Sequence, residues 1–242
     1  MAKLTWDQAG ERLFETGVEH AVLYPGRGRG VAWNGIVSIS ESPSGAEPTP
    51  IYADNIKYLN MLSAEEFGAT IEAYAYPAEF NQSLGKTEIS KGVIIGQQTR
   101  HTFGLSYQTK IGNDKDGADH GYKIHLVYNC MAAPSEKNNN TVNDTPEAET
   151  FSWEISTTPV MVENHRPTAT VVLNSVKFFE GGLVNVLRSI EDALYGTETT
   201  HPKILYASEI QYLFLVGMYL FDSSGDELTD SSGNKIRTQV FS

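Results

Sequence analysis

The sequence predicts a mainly β protein, an antiparallel β-sandwich or half-barrel with one packed α-helix. Apolar and polar side chains alternate with period two along most of the chain, which is the pattern of half-buried strands. Clusters of glycine, proline, asparagine and aspartate separate these segments, and helical spacing of apolar residues is clear in residues 181–195. Strands with one apolar face are typical of antiparallel sheets that cover a core on one side.

The first strands are predicted at residues 31–41, 51–63 and 67–76. One face of the first segment carries Val31, Trp33, Val37 and Ile39, and one face of the third carries Phe67, Ala69, Ile71, Ala73 and Ala75. The opposite faces are mostly polar, so each segment is expected to bury one side.

A stiff connection is predicted at residues 41–50, between the first two strands. It contains three prolines, Pro43, Pro48 and Pro50. Because each proline ring fixes its φ angle, we expect a rigid projecting loop at this point of the chain.

Four later strands are predicted at residues 103–111, 122–130, 151–156 and 169–173. The apolar face of the second of these carries Tyr122, Ile124, Leu126, Tyr128 and Cys130. Residues 112–121 are rich in asparagine, aspartate and glycine, which favours a hairpin turn between the first two strands of this group.

The packed helix is predicted at residues 181–195. It carries an apolar stripe at helical spacing, Leu183, Leu187, Ile190 and Leu194, and Gly196 is placed to end it. A second, short helix is predicted at residues 208–215, with Ser208 as its N-cap.

Composition favours one cytosolic domain that spans residues 1–242. The net charge of −12 disfavours a protein that grips nucleic acid, since such proteins cluster lysine and arginine. No signal sequence and no apolar run of about 18 residues is found, so no membrane insertion is expected. Cys130 is the single cysteine, which excludes an internal disulfide and favours a buried, inert thiol.

Motifs that bind ligands fail on inspection, so no metal, cofactor or catalytic residue is predicted. The Gly26–Gly30 stretch, with Arg27 and Arg29, is not followed by a helix as a phosphate loop would be; its arginines are placed to touch a neighbouring acidic subunit. An EF-hand alignment puts Gly112 at the first ligand position and Lys123 at the twelfth, where carboxylates are needed. The six histidines lack the close spacing of a zinc site, and no G-x-S-x-G motif occurs.

A series of short segments follows in order along the chain and carries a family resemblance. The segments are Phe14-Glu15-Thr16-Gly17, Val22-Leu23-Tyr24-Pro25, Gly30-Val31-Ala32-Trp33-Asn34-Gly35, Gly45-Ala46-Glu47-Pro48-Thr49-Pro50, Tyr52-Ala53-Asp54-Asn55 and Thr70-Ile71-Glu72-Ala73-Tyr74. The series resembles the major tail protein, or tail tube protein, of long, non-contractile-tailed bacteriophages (siphophages). The resemblance is densest over residues 14–80, returns at 121–128 and 151–159, and is generic after Pro167.

The resemblance implies a structural virion protein with the phage tail tube fold. Its subunits would assemble in the host bacterial cytoplasm into stacked hexameric rings, each a β-barrel around a channel through which the genome is ejected. Six copies at −12 each carry −72, an acidic conduit in which DNA slides without specific binding. The implied partners are the chain itself and the tape measure, tail-tip and tail-terminator proteins.

The resemblance also implies where subunits touch. We expect contacts from an N-terminal arm (about 1–20), the projecting loop (about 41–50) and a C-terminal arm (about 221–242). The candidate contact residues are Glu41, Pro43, Glu47, Pro48, Pro50, Arg27 and Arg29, and the candidate lumen-facing residues are Asp54 and Glu72.

Two other classes of function stay open at the level of sequence. A monomeric β-sandwich that binds carbohydrate, or an adhesin-like module, would explain the 12 tyrosines, 10 phenylalanines and 3 tryptophans and would present an exposed aromatic platform. An enzyme is disfavoured because no acid, base, nucleophile or metal set is assembled. The order of the matching segments favours the structural role.

Overall fold

The computed structural model describes residues 4–26, 28–139, 141 and 148–217. The predicted C-terminal arm, about 221–242, lies outside the described residues. So does Arg27, one of the two arginines proposed as contacts.

Strands account for more of the described residues than helices do, as predicted, and the α-helices follow at the C-terminal side. The strands are β1 (Phe14–Pro25), β2 (Val31–Ala32), β3 (Ile36–Glu41), β4 (Ser44–Gly45), β5 (Pro48–Ala53), β6 (Ile56–Leu62), β7 (Glu65–Glu66), β8 (Gly68–Ala73), β9 (Thr87–Ser90), β10 (Val93–Ile95), β11 (Phe103–Asn113), β12 (Gly117–Ala132), β13 (Phe151–Thr157) and β14 (Thr170–Asn174). A 3-10 helix spans Ala78–Gln82, and the α-helices are α1 (Ser175–Glu180), α2 (Val184–Tyr195) and α3 (Ala207–Gly217).

The main sheet has eight antiparallel strands in the order β2-β1-β11-β12-β13-β8-β3, with β14 also paired to β12. The long strand β12 pairs with β14 along residues 123–127 and with β13 along residues 130–132. Leu23 and Leu105 from one half of the sheet lie in the same buried cluster as Ile71 and Trp153 from the other half. The sheet therefore folds over on itself as a sandwich, and the described strands do not close into a barrel.

The predicted strand at 31–41 is divided between the two halves of this sandwich. Val31–Ala32 pairs with β1, whereas Ile36–Glu41 pairs with β8. The break falls at Gly35, whose φ of 82° suits glycine. The register shifts between Ile36 and Ser38, so Val37 is 41% exposed rather than on the apolar face with Trp33.

A second core lies on the other face of β1, β11, β12 and β14, beneath the helices. Tyr24, Ile124 and Leu126 of the sheet pack there with Leu187 and Ile190 of α2. The sequence predicted a packed helix at 181–195 and a second, short helix at 208–215. The described residues contain both, as α2 and α3, and add α1. The helix α2 lies where it was predicted and ends at Gly196, whose φ is 81°.

Local hydrogen bonds mark the starts of α1 and α3. At α1, the Asn174 side chain caps the helix by accepting a hydrogen bond from the Val176 N–H (3.0 Å). At α3, the predicted N-cap Ser208 lies inside the helix instead. The carboxylate of Glu209 accepts the Tyr206 N–H (2.9 Å), which is the return half of a capping box.

The central strands bury both faces, which the one-faced prediction missed. On β11, Ser106 and Gln108 point to the helical layer, where Ser106 Oγ lies 3.2 Å from the Tyr24 hydroxyl. Gln108 Nε2 donates to the Tyr195 hydroxyl (2.8 Å). Polar side chains are accommodated in this core because each finds a hydrogen-bond partner.

Cys130 does not share a face with Tyr128, contrary to the prediction. The register between β11 and β12 shifts beyond Val127, and Asn129 takes a positive φ of 47°. As a result Tyr128 packs under the helices and Cys130 packs in the sandwich core. The expectation of a buried thiol is confirmed, since Cys130 is 0% exposed and burial raises its pKa.

Phe80, on the 3-10 helix, fills the sandwich core from its side. Its ring centroid lies 4.6 Å from that of Trp33 and 5.2 Å from those of Phe103 and Trp153. Phe80 is 0% exposed. Aromatic pairs at such spacings add to the free energy gained from burial alone.

Replacing Phe80 by alanine should lower the free energy of unfolding by about 3–5 kcal/mol, since it leaves a large cavity among these rings. The matched control is Phe179→Ala on α1, because Phe179 is 48% exposed. Its cost should stay within about 0.5 kcal/mol. Urea unfolding of both variants measures this, and equal losses would show that Phe80 is not a core residue.

Candidate assembly surfaces

The predicted loop at 41–50 is the outgoing half of a β-hairpin. After β3, the chain runs through β4 and β5, turns, and returns through β6 and β7 to β8. Pairing of β4 with β7 and of β5 with β6 holds the two halves together. We call residues 42–67 the arm. The predicted strand at 51–63 is therefore wrong as a single strand, because the hairpin turn divides it.

The turn of the arm is made by Asp54 and Asn55. Both have positive φ, 50° and 63°. Two central residues with positive φ are what a two-residue type I′ turn requires, and this turn matches the twist of paired strands. Asp and Asn are the non-glycine residues that adopt this conformation most readily.

One face of the arm is apolar and uncovered. The register pairs Ile51 with Leu59, Ala53 with Ile56 and Thr49 with Met61, so these side chains share a face. Ile56 is 64% exposed and Met61 is 58% exposed. No other described part of the chain pairs with the outer edges of β5 and β6. Exposed apolar patches of this kind mark interaction surfaces.

Glu41 anchors the base of the arm inside its own chain. Its Oε1 accepts a hydrogen bond from the Tyr107 hydroxyl (2.6 Å) and lies 3.6 Å from His125 Nδ1. The His125 ring stacks on Tyr107 with centroids 4.6 Å apart, and its Nε2 lies 3.0 Å from Thr109 Oγ1. Burial lowers the pKa of His125, and its Nδ1 has no hydrogen-bond partner among the described residues.

The other predicted contact residues lie at the surface. Pro43, Glu47, Pro48 and Pro50 are exposed along the arm. Arg29 is also exposed, and its guanidinium contacts the His201 ring of the same chain. Their roles as contacts between subunits stay predictions.

The two predicted lumen residues are not brought together. Asp54 is at the turn of the arm, whereas Glu72 is in β8, where its Oε2 accepts from Ser38 Oγ (2.9 Å). Glu72 belongs to the outward face of β3, β8 and β13, which is polar throughout this register: Ser38, Ser40, Thr70, Glu72, Ser152, Glu154 and Ser156. The turn of the arm belongs to a different surface from this polar face, and the lumen-facing roles of Asp54 and Glu72 stay predictions.

The N-terminal segment is tied to the β11–β12 hairpin. Asp114 Oδ1 accepts the Gly10 N–H (2.9 Å), and from Phe14 onward the chain is part of the main sheet. The loop that resembles a calcium site is an internally bonded turn, in which Asn113 Oδ1 accepts from the Lys115 N–H (3.0 Å). Within the described ranges, no group of three or more His, Cys, Asp or Glu side chains is placed to hold a metal.

Comparison with known proteins adds little to this geometry. No family model matches the chain, and no curated protein matches it. One solved structure with some likeness is the sheath/tube terminator of PVC, an extracellular contractile injection system, in its extended state. It is 14% identical, covers 71% of this chain and 99% of its own, and superimposes with a TM-score of 0.27. A likeness this distant carries no conclusion about fold or function. None of the described helices is long and apolar enough to span a membrane.

The His125 environment predicts a pH-dependent stability. Desolvation lowers its pKa below the ordinary 6.5, against the opposing effects of Glu41 and Glu15, and Lys123 lowers it further. The folded chain therefore binds this proton less tightly than the unfolded chain, so the contribution to stability is present above pH 6.5 and is lost as the pH falls.

Measuring the free energy of unfolding at pH 7.5 and pH 5.5 tests this expectation. The parent chain should lose more stability on acidification than His125→Gln, which cannot take up the proton. His165→Gln, at an exposed histidine, should behave as the parent does. An equal acid loss in His125→Gln and the parent would contradict the assignment.

Proposed function

We propose that this chain is the major tail protein of a long, non-contractile-tailed bacteriophage, a structural virion protein that forms stacked hexameric rings. The ordered sequence segments support the family, and the arm is the observation that carries the assembly role. A two-stranded ribbon is marginally stable in water on its own. An arm with an uncovered apolar face and unpaired edges therefore calls for a partner surface.

The layered structure supports an orientation within such a ring. The polar outward face of β3, β8 and β13 would line the channel, with Glu72 and Glu154 contributing negative charge. The helices α1–α3 lie on the other side of the central strands and would face outward. Joining sheets from adjacent subunits into a barrel would pair edges that otherwise template aggregation.

The charge supports passage of DNA without specific binding. Each copy carries −12, so a ring of six carries −72 and repels the phosphate backbone. The proposed partners are further copies of the chain, together with tape measure, tail-tip and tail-terminator proteins. The proposed location is the virion tail, assembled in the host cytoplasm. The proposal includes no cofactor and no catalysis.

A carbohydrate-binding or adhesin-like module is the second candidate. Tyr52 and Tyr58 favour it, since each is 68% exposed on the arm and an aromatic ring can stack on a sugar. Trp33 and Trp153, however, are both 3% exposed and belong to the core. The second candidate predicts a monomer that glycan columns retain, at any protein concentration.

Electron microscopy of the purified chain at rising concentration, with light scattering, tests the proposal. Hollow tubes or six-fold rings are the expected result. If the chain stays monomeric, virion tails are labelled with an antibody against it, because tail-tip and tape measure proteins can be needed for nucleation. A monomer together with unlabelled tails would overturn the proposal.

The apolar face of the arm should control assembly without controlling the fold. We expect Ile56→Ser combined with Met61→Ser to raise the concentration needed for tubes by on the order of tenfold or more, since burial of each side chain is lost. The matched control is Met161→Ser, because Met161 is 82% exposed and lies outside the arm. Normal tubes from the double variant would exclude the arm as the assembly element.

The prolines of the arm should favour assembly through chain entropy. Pro48→Gly with Pro50→Gly gives the arm more backbone freedom before it docks on another copy. Each substitution should make the free energy of docking less favourable by about 0.4–1 kcal/mol. Assembly should weaken and tubes should shorten, as sedimentation and microscopy would report. Tubes of normal length and normal critical concentration would contradict this role.

A further inference from the structure

The arm and a basic cleft lie at opposite ends of strand β8. The arm joins β8 at Gly68, where the Gly68 carbonyl accepts the Ser42 N–H (2.8 Å). At the other end, Ala73 pairs with Phe151 of β13. Beside Phe151 is a cleft of about 150 Å³, whose lining includes Tyr76, Lys86, Arg100, Lys137, Phe151 and Trp153. We call this the basic cleft.

The floor of the basic cleft is aromatic. The ring centroid of Tyr76 lies 5.5 Å from that of Phe151 and 5.4 Å from that of Trp153, both in edge-on contact. Phe151 and Trp153 stack at 5.7 Å. Trp153 also belongs to the sandwich core, so the core holds this floor in place.

Three cations surround the floor. Lys86 Nζ donates to the Tyr76 hydroxyl (3.4 Å), and Lys137 Nζ lies 5.5 Å from the Phe151 centroid. Arg100 Nη1 donates to the Ala132 carbonyl (2.8 Å). The ion pairs between described residues include none of these three side chains, and one carboxylate, Glu136, is part of the lining.

The arm has the opposite charge. Residues 42–67 contain four carboxylates, Glu47, Asp54, Glu65 and Glu66, and one ammonium, Lys57. Its exposed apolar face would meet the aromatic floor, and its carboxylates would meet the cations. Complementary charge of this kind steers association and fixes its register.

We propose that the basic cleft is the docking site for the arm of a second copy of this chain. The inference rests on the proposed function, which it deepens by naming the acceptor surface. Because donor and acceptor lie at opposite ends of β8, the contact is head-to-tail, and it builds an open stack when the rotation between neighbours does not close a ring. Each copy gives its arm to one neighbour and receives the arm of another, so the contact stacks copies in a row along the β8 direction.

Cross-linking of isotopically mixed assemblies tests the contact directly. Equal amounts of ¹⁴N and ¹⁵N chain are assembled, treated with a carbodiimide that joins carboxylates to amines at zero length, and digested for mass spectrometry. The expected products join a peptide of the arm to one with Lys86 or Lys137 and carry mixed isotopes. Arm carboxylates joined solely to other lysines would overturn the inference.

Charge exchange gives an independent test. Lys86→Glu with Lys137→Glu should raise the critical concentration on the order of tenfold, as should Glu65→Lys with Glu66→Lys. A mixture of the two double variants should assemble at a lower concentration than either alone. Lys115→Glu, on the turn between β11 and β12, is the matched control and should leave assembly unchanged.

The outcomes separate this inference from the proposed function. If tubes form and both double variants assemble as the parent does, the cleft is not the acceptor and the tail role stands. If the parent forms no assembly and virion tails are unlabelled, the second copy is excluded as occupant and both proposals fall.

Discussion

Burial of both faces of the central strands governs the rest of this structure. Strands β1, β11 and β12 lie between the sandwich core and the helical core, so Leu105 and Ser106, neighbours in sequence, pack into different cores. Once these strands are covered on both sides, the surfaces that remain open include two that matter for assembly. One is the polar outward face of β3, β8 and β13, and the other is the arm.

The arm is a pair of strands like those of the main sheet, but no described part of the chain covers its apolar face. Its side chains alternate and pair across the hairpin, yet Ile51, Ile56 and Met61 are left in water. In a small ribbon, the free energy gained by pairing barely exceeds the conformational entropy lost. Contact with another copy would supply the missing burial, so we place assembly at the arm and not at the sandwich.

The sequence predicted an element correctly where its local pattern of apolar and polar residues fits only one type of secondary structure. The alternation in 103–111 and the apolar stripe of α2 each led to the observed element. Prediction failed where tertiary packing determines which side chains are buried. The alternating pattern shows that Ser106 and Gln108 are polar, but it does not show that helices cover their face of the sheet. The turn at Asp54–Asn55 was missed because neither residue is glycine. The basic cleft draws its side chains from separated segments, so no local pattern predicts it.

Hydrogen exchange of the arm amides, measured below and above the assembly concentration, would show whether the arm is covered by another copy. Amides of β5 and β6 should exchange rapidly in the dilute chain, where both ribbon edges are open to water. On assembly they should become protected by at least tenfold, while β11 and β12 stay protected throughout. If the arm exchanges as fast in assembled tubes as in the free chain, assembly does not occur through the arm.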